Sequence, residues 1–161
     1  MDAAIATHRH TDHYKGLTEL SECMKTGEIY TEMTKGKTLQ ISEDVYIETV
    51  WPLTLPEGRT QDENKDCSVF FIHYGRYKVL ITGDLDKEGE RALIKHYAGT
   101  DTLKADILKI GHHGSRTSTS PEFLSAVSPD AAVIQVGRNN YGHPSEETLK
   151  TLDAFGCVMF R

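Results

Sequence analysis

Thr7-His8-Arg9-His10-Thr11-Asp12-His13-Tyr14-Lys15-Gly16 is the stretch on which the fold turns. Three histidines and one aspartate fall within the six positions 8–13. A short apolar run, Ala3-Ala4-Ile5-Ala6, precedes it and reads as a buried strand. The residues from Gly16 to Leu20 read as the first turns of a helix. The cluster therefore sits on a tight strand-to-helix loop. In extended backbone, alternate side chains share a face, so His8 and His10 point the same way. Asp12 and His13 follow the turn and can face the same cavity from its other side. Neighbouring pairs of N and O ligands suit two divalent ions, zinc or manganese.

Further along the chain, strands end at candidate ligands. Residues 68–74 (SVFFIHY) and 77–82 (YKVLIT) flank Gly75-Arg76 and read as a hairpin, whose second strand runs into Gly83-Asp84. A strand over 105–110 ends at Gly111-His112-His113-Gly114-Ser115, and a strand over 131–136 leads to Gly142-His143-Pro144. Ligands on loops at one edge of a sheet can converge. A carboxylate at Asp84 has two oxygens and can bridge cations roughly 3.5–4 Å apart. Asp84 and Asp86 are both placed to cap the helix expected over 87–96. His73, inside a strand, and His96, inside a helix, are expected to stand apart from the site.

With the third histidine of the first ion and the bridging role of Asp84 taken from the family resemblance of these segments, the expected ligand sets are His8, His10, His113 and Asp84 for the first ion, and Asp12, His13, His143 and Asp84 for the second. A hydroxide between the ions is the expected nucleophile, since bound cations lower the pKa of water. Asp12 would also orient it. Of the adjacent histidines, one ligates and the other faces substrate as acid or donor: His113 and His112 in that order, or the reverse. Ser115, with Arg116, Thr117 and Ser118, offers donors to a phosphate-like oxygen.

The remaining elements read simply. Helices are expected over 13–24, with Leu17, Leu20 and Met24 in step, from Pro121 behind an N-cap Ser120, and from Ser145 to about Phe155. Strands are expected at 29–30, near 39–41, over 45–51 and from Val158. Residues 56–66 form the longest polar stretch and read as an exposed loop. Strands alternating with helices make this α/β. At 161 residues, 38% apolar and 26% charged, the chain suits one domain, 1–161.

A formal charge of −6 without a basic stripe argues against tight, extended polynucleotide binding and leaves small anionic substrates open. No run of about 18 apolar residues suggests a membrane span. The first residues lack the basic and apolar regions of a leader. The three cysteines, Cys23, Cys67 and Cys157, show no CxxC spacing, and Cys23 and Cys157 read as small core residues. A cytoplasmic location is the default expectation.

His8-x-His10-x-Asp12-His13 resembles the signature of the metallo-β-lactamase superfamily, and Thr82-Gly83-Asp84 matches its bridging position. The resemblance implies an αββα sandwich. The segments at 80–90 (LITGDLDKEGE), 105–115 (ADILKIGHHGS) and 136–144 (VGRNNYGHP) are more specific. They are similar to the soluble C-terminal domain of ComEC-type DNA-uptake competence proteins and their free-standing relatives. That likeness implies a dinuclear phosphodiesterase or nuclease acting on DNA. Rival expectations are a thioester, lactone or other small-ester hydrolase, and a metal-bound regulatory domain without turnover. A domain of a larger competence protein would be extracytoplasmic or membrane-tethered. Strands normally precede the first motif in this fold, so the resemblance implies truncation at the N-terminus and slightly at the C-terminus. Sheet edges left bare would invite a partner, a homo-oligomer included, or leave an incomplete site with poor metal occupancy.

Overall fold

A computed structural model describes residues 3–25, 27–31, 33–54 and 64–161. The expected loop over 56–66 lies mostly outside these residues; its end, Asn64–Asp66, is a short 3-10 turn.

Two sheets form. Strands β1 (Ala3–Ile5) and β2 (Glu28–Tyr30) pair in parallel across helix α1 (Thr11–Cys23). The larger sheet has seven strands in sequence order: β3 (Thr38–Ser42), β4 (Val45–Trp51), β5 (Val69–Tyr74), β6 (Tyr77–Ile81), β7 (Ile107–Lys109), β8 (Ala131–Val133) and β9 (Val158–Phe160). Its first half is an antiparallel meander, built from β-branched and aromatic runs joined by short turns. From β6 onward the strands are parallel. Helices α2 (Lys87–His96), α3 (Pro121–Val127) and α4 (Glu146–Phe155) supply the crossovers.

The core lies between this sheet and those three helices. Leu80, Leu108 and Ala132 meet Leu85, Leu93, Phe123, Leu124 and Leu152, all of them buried. Side-chain oxygens start each of these three helices as the sequence suggests. Ser120 accepts from Phe123 N at 3.2 Å, and Ser145 from Thr148 N at 3.2 Å. Asp86 accepts from Glu88 N and Gly89 N at 3.0 and 2.9 Å. With Asp86 capping α2, Asp84 is released for another role.

Helix α1 differs from the other three. It starts at Thr11, two residues before the expected point, and buries none of its residues. Leu20 and Met24, expected on an apolar face, are exposed. Cys23, read from sequence as a core residue, is exposed for the same reason, whereas Cys67 and Cys157 are buried. The 3–4 spacing is present but no described element covers that face.

Candidate metal centre

Parallel register delivers the candidate ligands to one edge. Ile81 pairs with Lys109, and Lys109 with Val133, so β6, β7 and β8 finish level with one another. Asp84, His112-His113 and His143 lie on the loops beyond those ends. The loop after β1 is docked alongside: Ser68 N donates to Thr7 O at 2.7 Å, just where β5 begins next to the end of β6. His8 and Asp84 thereby face each other.

Asp84 is buried and its two oxygens look in different directions. Oδ2 lies 3.9 Å from His8 Nε2 and 3.7 Å from His112 Nε2. Oδ1 lies 3.2 Å from His13 Nε2 and 3.6 Å from His113 Nε2. Asp12 Oδ2 stands 3.4 Å from His113 Nε2 and 3.7 Å from His13 Nε2. Two sets of ligand atoms are thus close enough to hold a cation: His8, His10 and Asp84, and Asp12, His13, Asp84 and His113. The rings pack closely, with His8 and His10 at 4.4 Å and His8 and His13 at 4.3 Å between centroids.

The expected and observed groupings differ at the paired histidines. His113, expected beside His8 and His10, joins Asp12 and His13. His112 lies on the His8 side of the carboxylate. Adjacent residues in extended backbone would point apart. Here both adopt left-handed backbone, with φ of 46° and 53°, and both rings turn toward Asp84. His143 lines the same cavity, its ring 5.6 Å from that of His112, but it belongs to neither close set. Ser115 is buried and its hydroxyl bonds Thr117 Oγ1 at 2.9 Å; it holds the turn together and does not line the cavity. His73 and His96 stand apart as expected. His73 stacks on Tyr46 and meets Glu48 at 3.1 Å, while His96 meets Lys35 at 2.8 Å.

Residues not singled out from sequence orient these ligands. Thr7 Oγ1 lies 3.0 Å from His8 Nδ1 and 3.4 Å from His13 Nδ1. His113 Nδ1 is 2.9 Å from Gln135 O, which as an acceptor places the ring proton on Nδ1 and leaves a lone pair at Nε2. The Asn64 amide sits 3.2 Å from His112 Nδ1, so which amide atom faces the ring selects the tautomer of His112. The buried Lys109 ammonium donates to Gly83 O at 3.2 Å and Ile110 O at 3.1 Å, tying together the two loops that carry Asp84 and the histidine pair.

The residues fit a cation. His8 Nε2, His13 Nε2, His113 Nε2 and Asp84 Oδ1 are buried, and each lacks a hydrogen-bond partner among the described groups. They are lone-pair donors converging on one space. Burial and the nearby His13 charge hold His8 down at about 4, so it is neutral and ligand-ready at neutral pH. Burial alone would raise Asp84. The approach of His13, joined by His112 and His113, more than reverses this and keeps it ionised well below the usual carboxylate range. Burial also lowers His112. The cavity in front of them, about 500 Å³, opens between His10, Asp12, Asp84, His112, Tyr141 and His143.

The family described as Metallo-beta-lactamase superfamily matches residues 52–138. Competence protein ComA of Neisseria gonorrhoeae is 33% identical across the whole chain, which corresponds to 24% of that protein's length. The chain spans about a quarter of the curated relatives it matches over its whole length. Among solved structures, the metallo-beta-lactamase fold protein YhfI from Bacillus subtilis aligns with 99% of this chain and 73% of its own, at 13% identity and a TM-score of 0.55. CmlA, a diiron β-hydroxylase from Streptomyces venezuelae, aligns with 100% of this chain and 43% of its own, at 14% identity and a TM-score of 0.64. At such identities the structures share a fold.

Proposed function

Because this chain belongs to the metallo-β-lactamase superfamily, we propose that it is a hydrolase using two divalent ions, zinc or manganese, to cleave phosphodiester bonds, with DNA as the natural source of substrate. The observation that carries the reading is the buried Asp84 carboxylate with a histidine set on each oxygen. Ions held there supply a water acidic enough to attack at neutral pH and a Lewis acid for the phosphoryl oxygens. His8 and His10 would hold the first ion on the Oδ2 side, where His112 also stands. Asp12, His13 and His113 would hold the second on the Oδ1 side. Asp12, the most exposed carboxylate of the group, also accepts a proton from an attacking water. His143, which lines the same cavity as Asp84, would face substrate and donate to a leaving oxygen. The phosphodiester assignment draws on the competence-protein relative and on two ligand sets sharing Asp84, which could hold the pair of cations that suits phosphoryl chemistry. The unit is read as a single metallo-β-lactamase-like domain over 1–161. No helix of the described residues is long and apolar enough to cross a membrane.

The test is direct. Chain loaded with zinc or manganese is assayed on bis-p-nitrophenyl phosphate, single-stranded DNA and a panel of thioesters and lactones. Phosphodiester hydrolysis that disappears in Asp84→Asn supports the reading. Thioester or lactone hydrolysis alone would replace it with a small-ester hydrolase, and two bound ions with no turnover would make the chain a regulatory domain.

A further inference from the structure

Beside the ligand cluster, the loop from Gly137 to His143 carries a feature that metal binding leaves unexplained. Tyr141 is 84% exposed, the largest exposure among the big apolar side chains described. Such exposure commonly marks a loose loop, but this one is braced. Asn139 Oδ1 accepts from Tyr141 N at 3.0 Å and His143 N at 3.1 Å, and its Nδ2 donates to Gly137 O at 3.0 Å and His143 O at 2.8 Å. Four hydrogen bonds from one side chain fix the turn, so the ring is presented from a rigid base. One side of the ring leans on His143, with centroids 6.0 Å apart and planes 26° from parallel. The other side faces solvent.

The ring forms one wall of a slot of about 270 Å³ that runs from Asp12 and His113 along Val136 and Gly137 to Arg138. It shares Asp12, His113, Tyr141 and His143 with the central cavity and is therefore continuous with it. Arg138 is exposed, and no hydrogen bond or ion pair engages it among the described residues. The slot thus offers an aromatic face, an apolar floor and an uncommitted guanidinium, all beside the cluster.

We propose that this slot holds a nucleobase next to the scissile phosphate, stacked on Tyr141, with Arg138 on a neighbouring phosphate of a single strand. This names the substrate class of the site and rests on the phosphodiesterase reading. A base stacked on an aromatic ring requires an unpaired strand, which a rigid exposed tyrosine suits because little side-chain freedom is lost on binding. The guanidinium matches phosphate through its fork of donors. A single such subsite is compatible with an acidic chain, since a short contact needs no extended basic stripe.

The experiment is equilibrium binding of a fluorescein-labelled oligo(dT) to the full chain in EDTA, where no turnover occurs. Abasic and oligo(rU) strands of equal length run in parallel. Tyr141→Ala is expected to weaken oligo(dT) binding by about 5- to 140-fold, the range for loss of one base–aromatic stack. Tyr141→Phe should stay within about twofold, because the ring remains. Wild type should lose similar affinity for the abasic strand, whereas Tyr141→Ala should bind both strands alike. Arg138→Ala should reduce the slope of log affinity against log salt by about 0.7. Equal affinity of wild type for oligo(dT) and abasic strands, or an unaltered Tyr141→Ala, overturns the proposal. So does a wild-type chain that binds none of the strands. Equal binding of oligo(dT) and oligo(rU) supports base stacking without sugar discrimination. The two readings separate cleanly: phosphodiester hydrolysis without base-dependent binding sinks the slot alone. Base-dependent binding by a metal-loaded chain that hydrolyses no phosphodiester sinks the hydrolase alone.

Discussion

Replacing Gly83 with alanine should damage the site from beneath, without touching a ligand. Gly83 has φ of 54°, a left-handed conformation that costs an L-residue roughly 1–2 kcal/mol. A Cβ there would lie 2.8 Å from both Thr7 Cβ and Thr7 Oγ1, and 3.3 Å from Cys67 Cβ. Thr7 is buried, short and bonded to two imidazoles, so it has little room to yield. Overpacking of this kind adds about 1–3 kcal/mol, and strain and clash together come to about 2–5 kcal/mol. Gly99→Ala is the control. Its φ is 78°, but a Cβ there meets nothing within 4 Å, which leaves the backbone cost alone.

The assay is urea unfolding of the metal-free chain, with the midpoint compared at constant slope. Gly83→Ala should fall below Gly99→Ala by at least about 1 kcal/mol, the lower bound of the overpacking cost. Zinc titration then reads the geometric consequence. Displacing Thr7 turns the rings of His8 and His13, and loss of such outer support typically weakens metal binding about 10- to 100-fold. Gly99→Ala should bind zinc as wild type does. Equal destabilisation of the two variants, within about 0.5 kcal/mol, would refute the close packing of Thr7 on this turn.

His8 is held at about 4 in the folded chain against an ordinary 6.5. Between these values the unfolded chain binds the proton and the folded one does not, so stability rises with pH across the window. The span is worth about 3 kcal/mol, complete above pH 6.5. Asp84, depressed below its ordinary 3.8, acts in the same direction at lower pH. Urea midpoints of metal-free chain from pH 4 to 7 check this, and a flat or falling profile contradicts it. Asp86→Ala should remove only the cap of α2, at about 1 kcal/mol, with zinc stoichiometry unchanged. Asp84→Asn should drop stoichiometry below two in calorimetric titration, because the amide cannot bridge as a carboxylate does.

The contrast between Asp84 and Asp86 shows what the sequence made legible. Both were plausible caps, and spacing alone could not separate them; the backbone amides of Glu88 and Gly89 settle the matter. The four candidate-ligand loops are readable because each follows an apolar run, and the parallel strands β6, β7 and β8 bring three of those ends level. The sharing of ligands between two sets was not. It depends on His112 and His113 both taking positive φ, which non-glycine residues rarely adopt and no local signal announces. Thr7 and Asn64 were hidden for a different reason. They act on ligands, and a threonine at a strand end or an asparagine in a polar stretch has many commoner uses. The exposed face of α1 was misjudged at Cys23 because periodicity reports which residues share a side, not whether anything covers it.

The distribution of local penalties argues for a ligand more strongly than any one residue does. Left-handed backbone at two successive histidines costs on the order of 1–3 kcal/mol each. Each buried polar atom without a partner costs about as much again. Among the described residues such atoms are few, and five of the seven are on His8, His13, Asp84, His113 and His143. A core optimised for stability alone would scatter or remove these defects. Here they gather around Asp84 and the cavity in front of it. A cation bound there would relieve the atoms of His8, His13, Asp84 and His113 together, because each of these offers a lone pair for coordination. Binding to the folded chain in preference to the unfolded one then shifts the equilibrium toward the folded state. The fold itself does not choose the chemistry, since the same architecture serves a diiron β-hydroxylase. Discrimination must therefore come from the loops above the sheet, and the braced turn at 137–143, which carries the exposed Tyr141 into the lining of the cavity, is one of them.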